Sequence, residues 1–465
     1  MALHRDTTAE HPTSNRPNPF VVAANPLVAS NVRLPHDRLE DLPVPPDIAY
    51  QLIHDELLLD GSAQLNLATF VTTWMEPQAS RLMAECSNKN MIDKDEYPQT
   101  AELESRCVRI LADLWHAPDA ATAIGCSTTG SSEACMLAGM ALKRRWSNRQ
   151  GPGSTARPNL VMGINVQVCW DKFCNYWEVE PRFVPMEGDR FHLTAAEVAS
   201  RCDENTIGVV AIFGSTFDGS FEPVADIART LDDLEARTGL AVPLHVDGAS
   251  GAMIAPFLDP ELQWDFVLDR VVSINTSGHK YGLVYPGVGW VVWRDRDALP
   301  EELVFRVNYL GGEMPTFALN FSRPGAQVVA QYYTFLRLGR EGFRAVQQAT
   351  RDVATGLAAS VAGLGPFRVL TKGDELPVFA FTTTEDARFS VFDLSRRLRE
   401  RGWLVPAYTF PENREDLAVL RVVCRNGFTH DLASMFLRDL KVALPELNQQ
   451  QSPGVAPAAA SAFHH

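Results

Sequence analysis

The chain has 465 residues, is 46% apolar and carries a formal charge of −15. That is enough apolar material for a large core divided into more than one domain, and the acidic balance argues against nucleic acid or an anionic membrane as partner. Eight cysteines are scattered without a C-x-x-C pair and no signal-peptide pattern opens the chain, so they read as reduced thiols of a cytoplasmic protein, not as disulfides or a metal site.

Residues 1 to about 45 are rich in Pro, Asn, Thr and Ala without periodicity and read as an arm. A helical pattern follows from Asp47 to Leu57, so residues 1–60 make up an N-terminal arm and helix. Between about 61 and 350, strand patterns at 159–163, 207–213, 240–246, 270–275 and 288–293 alternate with helical ones, which implies βαβ units and a mostly parallel sheet. From 351 to 448 the pattern changes to short strands at 368–370, 378–381 and 417–420 with helices near 390–402 and 430–443, a smaller α+β domain. Residues 449–465 form a Gln/Pro/Ala tail expected to be flexible. No apolar run approaches the roughly 18 residues of a membrane span.

Three stretches carry chemistry. Gly130-Ser131-Ser132-Glu133 precedes a helical pattern that ends in Lys143-Arg144-Arg145. Free N–H groups, the helix dipole and serine hydroxyls at such a start make a phosphate cradle, although any capped helix looks similar. His245-Val246-Asp247-Gly248-Ala249 closes a short apolar strand, where an open α/β sheet places ligand contacts. An acid there suits the ring nitrogen of pyridoxal phosphate, with Ala249 small enough to lie against the ring; a turn-capping aspartate is the plainer alternative. Ser277-Gly278-His279-Lys280 follows another apolar strand and suits a Schiff-base lysine whose amine is pulled down from about 10.4 by a dry surround, where a solvated surface lysine is the plainer alternative. Cradle, acid and lysine in this order along an α/β pattern form a constellation that none of them makes alone.

With these stretches placed, the chain from about 35 to 445 resembles the glutamate decarboxylases of the bacterial and plant type, which are fold-type I pyridoxal-phosphate enzymes. The likeness also rests on Gln64-Leu65-Asn66-Leu67-Ala68-Thr69-Phe70, Asn88-Lys89-Asn90-Met91-Ile92-Asp93, Phe305-Arg306-Val307-Asn308-Tyr309-Leu310 and Phe321-Ser322-Arg323-Pro324. The resemblance implies pyridoxal 5′-phosphate on Lys280, Asp247 at the ring nitrogen, and the phosphate held by Ser131, Ser132, Ser277 and His279. It places Gln167 over the ring, Thr216 near the ring hydroxyl, and Ser322 at the phosphate of a neighbouring subunit. It gives Thr69, Phe70, Asn90 and Asp93 to the substrate's side-chain carboxylate and Arg421 to its α-carboxylate. Two positions depart from the family pattern, Gly248 standing for alanine beside the acid and Asp171 for histidine or glutamate.

The implied reaction is decarboxylation of L-glutamate to γ-aminobutyrate, with Lys280, His279 or Tyr309 as candidate proton donors. The implied assembly is a homo-oligomer with a dimer core, extended to a hexamer through the N-terminal arms, and the implied role is acid resistance. The chain ends Phe463-His464-His465, and bacterial members close the site with such a histidine above mildly acidic pH. Without Trp or Lys after Lys441, the tail is not expected to bind calmodulin. The rival readings are decarboxylation of aspartate or cysteine sulfinate, transamination, and a non-enzymatic scaffold on the same fold.

Overall fold

The computed structural model describes residues 36–39, 41, 43–307 and 314–449. The arm up to residue 35, Tyr309, and the tail with His464 and His465 lie outside the described residues. The chain divides into two units, Met1–Ser62 and Ala63–His465. In the first, helix α1 (Pro46–Leu57) starts on a proline, whose missing N–H is no loss at the first helical position. It leaves Tyr50, Ile53 and Leu57 exposed.

The second unit opens with α2 (Pro77–Glu85) and α3 (Pro98–Leu114), both again begun by proline. Then follow β1 (Ile124–Thr128), α4 (Ser131–Gln150), β2 (Asn159–Gly163), α5 (Val168–Tyr176), β3 (Glu180–Val184), α6 (Ala195–Val198), β4 (Thr206–Ile212) and α7 (Val224–Thr238). The series closes with β5 (Leu244–Asp247), α8 (Ala255–Leu258), β6 (Val271–Thr276) and β7 (Gly289–Trp293). These strands form one seven-stranded sheet in the order β1-β7-β6-β5-β4-β2-β3. It is parallel from β6 through β3, and β7 runs antiparallel to both β6 and β1. Strands β2, β4, β5 and β7 are buried along their whole length, as strands covered on both faces must be.

The mostly parallel α/β sheet is the expected one, with local corrections. Residues 240–243 are not strand, and β5 begins only after Pro243, which has no N–H for the ladder. Strand β1, rich in Gly, Ser and Thr, and strand β3 at the sheet edge are not among the expected strands.

Beyond the large sheet, β8 (Phe305–Val307) pairs antiparallel with β9 (Met314–Thr316). Helix α9 (Ala326–Ala362), kinked at Gly339, leads to β10 (Phe367–Val369), β11 (Val378–Thr383), α10 (Val391–Arg399), β12 (Ala407–Thr409), β13 (Ala418–Val423) and α11 (His430–Gln449). These last four strands make an antiparallel sheet in the order β10-β11-β13-β12. The boundary expected at residue 350 falls inside α9. Phe335 and Phe343 of that helix join the core of the large sheet, whereas Val353, Leu357 and Val361 pack with Phe379, Phe381 and Leu420 of the small one. A single amphipathic helix serves both cores, so no linker composition marks the join. No helix among the described residues is long and apolar enough to cross a membrane.

Candidate active site

The site forms where β5 and β6 end beside the start of α4, outside the carboxyl ends of the parallel strands. Side chains on a strand alternate between faces, so His245 and Asp247 of β5 share one face, as do Ser273 and Asn275 of β6. The register sets His245 opposite Ser273 and Asp247 opposite Asn275. Asp247 is buried and accepts from Trp170 Nε1 at 2.9 Å, Asn275 Nδ2 at 3.0 Å and the Ala249 backbone at 3.2 Å. His245, with no exposed surface, lies between Ser273 Oγ and Asn275 Oδ1, each at 2.8 Å. Burial pushes its imidazole down to about 4, so it is neutral through the physiological range.

Lys280 stands on the turn after β6, clamped by Thr72, whose N–H donates to the His279 carbonyl and whose hydroxyl donates to that of Lys280, both at 2.7 Å. Its Nζ lies 3.3 Å from Ser250 Oγ and 5.1 Å from the centre of the Phe70 ring. Burial lowers the amine from its ordinary value, with Asp247 opposing. An amine held closer to neutrality is the nucleophile a carbonyl cofactor needs.

Across this lysine, the buried hydroxyls of Thr276 and Ser277 and Nδ1 of His279 have no hydrogen-bond partner among the described residues. Buried polar groups are ordinarily paired, so these atoms fit an oxyanion brought by a ligand. His279 lies beside Gly130 at the start of α4, where a Cβ on Gly130 would come within 3.1 Å of its ring. The backbone of Gly289 in β7 passes so close that its own Cβ would lie 2.7 Å from Ser131 N. First-turn N–H groups have no partner inside a helix, and the dipole favours an anion there. A phosphate between α4 and the turn from Thr276 to His279, with a ring reaching Asp247 and Lys280, therefore fits the residues present.

Arg421 of β13 brings the small sheet to the site. It is buried, donates to the carbonyls of Thr216 and of Ala68 (2.7 Å for the latter), and leaves Nε without a partner. Its guanidinium lies 4.8 Å over Phe70, the ring that Lys280 also faces, and 5.7 Å over Tyr408.

The expected residues divide into two groups. Lys280, His279, Ser277, Asp247, Ala249, Ser131, Thr216, Phe70 and Arg421 belong to the network just described. Ser132 lies in the first turn of α4 and Thr69 precedes Phe70, its hydroxyl accepting from Val71 N at 3.0 Å. Gln167 caps α5 by accepting from Cys169 N at 2.6 Å. Asn90 instead donates to Ser322 Oγ at 3.3 Å and accepts from Arg323 N at 3.1 Å. Among the described residues, no hydrogen bond or ring contact of Asn90, Asp93 or Ser322 reaches Phe70, Lys280 or Arg421.

The departure at Gly248 has a packing reason, because a Cβ there would lie 2.5 Å from that of Ala252. Asp171 is exposed on α5. Sulfur atoms of Cys135 and Cys169 and a carboxylate oxygen of Asp247 lie within 4.8 Å of one another. Burial pushes the Cys135 thiol well up, and it donates to Asp247 Oδ2 at 3.5 Å.

Trp170, Asn275, Thr72, Ser250 and Thr276 were missed by reading the sequence. The one available signal was the alternation of polar side chains at 245 and 247, and at 273 and 275, along otherwise apolar strands.

A lysine of depressed basicity, a carboxylate held by N–H donors and an oxyanion cradle at a helix start define a fold-type I pyridoxal-phosphate enzyme. A family profile described as the pyridoxal-dependent decarboxylase conserved domain matches residues 40–384. Glutamate decarboxylase of Aliivibrio fischeri is 54% identical over 416 residues, covering 88% of this chain and 89% of that protein. Glutamate decarboxylase 5 of Arabidopsis thaliana is 49% identical over 418 residues, covering 89% and 85% respectively. The solved glutamate decarboxylase of Lactobacillus brevis superposes with a TM-score of 0.88 at 46% identity, covering 91% of this chain and 98% of that one. The chain belongs to the pyridoxal-dependent decarboxylases, within their glutamate decarboxylase branch.

Proposed function

We propose that the chain converts L-glutamate to γ-aminobutyrate and CO2 with pyridoxal 5′-phosphate bound at Lys280. In the net reaction the bond from Cα to its carboxylate breaks, CO2 leaves and a proton takes its place on Cα. The observation that carries this reading is the Phe70 ring with Lys280 at 5.1 Å and Arg421 at 4.8 Å. One buried aromatic thus lies beside both the amine that engages the substrate nitrogen and the cation that grips a carboxylate.

When bound, the cofactor supplies an electron sink for the pair left on Cα. Asp247 holds the charge of the ring nitrogen, and Ser131, Ser132, Ser277 and His279 hold the phosphate. Arg421 has five N–H donors. Two are spent on the carbonyls of Thr216 and Ala68, which fix the plane of the fork. The unpartnered Nε and the remaining N–H groups grip the α-carboxylate and so set the direction of the bond that breaks. Thr69 and Phe70 face the side-chain carboxylate, with Gln167 and Thr216 lining the ring.

The bond between Asn90 and Ser322 supports a second part of the reading. Asn90, Asp93 and Ser322 complete the site of a partner subunit, so a homodimer is the working unit. The exposed Tyr50, Ile53 and Leu57 of α1 support further contacts between dimers. The enzyme works in the cytoplasm, where each turnover consumes a proton.

The test is CO2 release from L-glutamate and from L-aspartate with added pyridoxal phosphate, in the unaltered chain and in Lys280→Ala. Release from glutamate that depends on Lys280 and exceeds that from aspartate is expected. Equal release from the two substrates, or activity that survives in Lys280→Ala, would refute the assignment.

A further inference from the structure

Asn275 has no exposed surface, yet its side-chain amide spans the two ends of the proposed cofactor site. Nδ2 donates to Ser131 Oγ at 2.7 Å and to Asp247 Oδ1 at 3.0 Å, and Oδ1 faces His245 Nε2 at 2.8 Å. We propose that Asn275 is a positioning residue that sets hydrogen-bond polarity at both ends of the cofactor, making Ser131 a donor to the phosphate and Asp247 an acceptor for the ring nitrogen. The proposal rests on the assignment of Asp247 and Ser131 to the cofactor.

The direction of every bond in the chain follows from one fact. A carboxylate only accepts, so the amide group turned to Asp247 must be the NH2. That turns the amide oxygen to His245, whose Nε2 must then carry its proton. The imidazole is neutral, so its Nδ1 accepts from the Ser273 hydroxyl at 2.8 Å. At the other end the second hydrogen of the NH2 goes to Ser131, whose oxygen therefore accepts. The hydroxyl hydrogen of Ser131 is left to donate elsewhere, and an oxyanion at the start of α4 is what that position favours.

The amide is thereby fully used, with both hydrogens given and the oxygen occupied. The other carboxylate oxygen of Asp247 accepts from Trp170 of α5 and Cys135 of α4, so its orientation is fixed from the neighbouring strand β6 and two helices. No other side chain among the described residues bonds to both Asp247 and Ser131.

The experiment follows release of bound pyridoxal phosphate from the full-length holoenzyme by equilibrium dialysis and visible absorbance, from acidic to neutral pH. Asn275→Asp keeps the shape and removes both donors. At neutral pH it is expected to weaken cofactor binding about 10- to 100-fold, the effect of losing hydrogen bonds to charged or buried groups. Relative to the unaltered chain, that loss should shrink on acidification, when the new carboxyl regains a hydrogen to give. Asn275→Ala has no such hydrogen, and its relative loss should stay flat with pH.

Binding within twofold of the unaltered chain in both variants would overturn the proposal. So would a loss in Asn275→Asp of the same size at every pH, which marks a purely structural role. If Asn275→Asp fails to fold, Asn275→Ala, Ser131→Ala and their double variant decide. Losses that are less than additive are expected, and strictly additive losses overturn the idea. Asp247→Ala is run beside them, because cofactor binding unchanged in that variant would indict the site assignment itself and not the part given to Asn275.

Discussion

Arg421 shows how one residue can be read by its geometry. Its fork is pinned by two carbonyls, so a lysine in its place would keep the charge and lose the plane. Arg421→Lys is expected to lower kcat/KM for glutamate by about 10- to 100-fold, from the loss of charge-assisted hydrogen bonds worth roughly 1.5–3 kcal/mol. Steady-state kinetics check this, and a variant within twofold of the original would remove Arg421 from the site. Glu222 is a second residue with a measurable consequence. It is buried and accepts from Ile212 N at 2.6 Å, Leu193 N at 2.8 Å and Asn165 Nδ2 at 3.0 Å, yet burial dominates and raises its carboxyl to about 8. Between about 4.5 and 8 the unfolded chain has lost this proton while the folded chain keeps it. Stability from this group is therefore complete below about 4.5 and declines as pH rises towards 8. Thermal unfolding of Glu222→Gln should show a shallower fall across that window than the unaltered chain, and an unchanged slope would contradict the assignment. Lys280 and Asp247 were legible as residues because they sit in short motifs. Trp170 was not, since its partner lies 77 positions away.

At the scale of elements, the site depends on how closely α4 meets the sheet. Gly289 lets β7 pass against the first turn of that helix, and a Cβ there would come within 2.5 Å of the Gly130 carbonyl carbon. Backbone cannot yield as a flexible side chain can, so Gly289→Ala should displace the cradle. The expected result is cofactor binding weakened by at least about 10-fold, from loss of one or more bonds to the phosphate, with the helix content by circular dichroism retained. Cofactor binding equal to the original would show that the helix start does not hold the phosphate. The helices α4, α10 and α11 and most parallel strands were readable from periodicity and caps. Strand β1 was not, because Gly125, Ser127 and Thr128 carry no apolar strand pattern, and their strand geometry comes from pairing with β7.

At the scale of the whole molecule, the residues expected around one substrate carboxylate fall into two pairs that share no hydrogen bond or ring contact among the described residues of a single chain. Thr69 and Phe70 lie by Lys280, and Asn90 lies by Ser322. A site shared between two subunits reconciles the two groups, and it predicts complementation. Lys280→Ala and Asn90→Ala are each expected to be impaired alone. Mixed assemblies from co-expressed chains should regain activity, because one of the two sites then combines an intact Lys280 with an intact Asn90. Mixtures no more active than the separate variants would place both groups in one chain's site.

The sequence by itself determined the α/β alternation and the order of the helix-start, acid and lysine motifs along it. Those features are local, since a strand of alternating or buried side chains and a helix that opens on two serines are written in neighbouring residues. Only the tertiary structure decided that Asn275 joins Ser131 to Asp247, that Trp170 holds Asp247, and that Lys280 and Arg421 both lie by the Phe70 ring. Such contacts depend on strand register and on the depth at which helices seat, and both are set by packing between segments far apart in the chain.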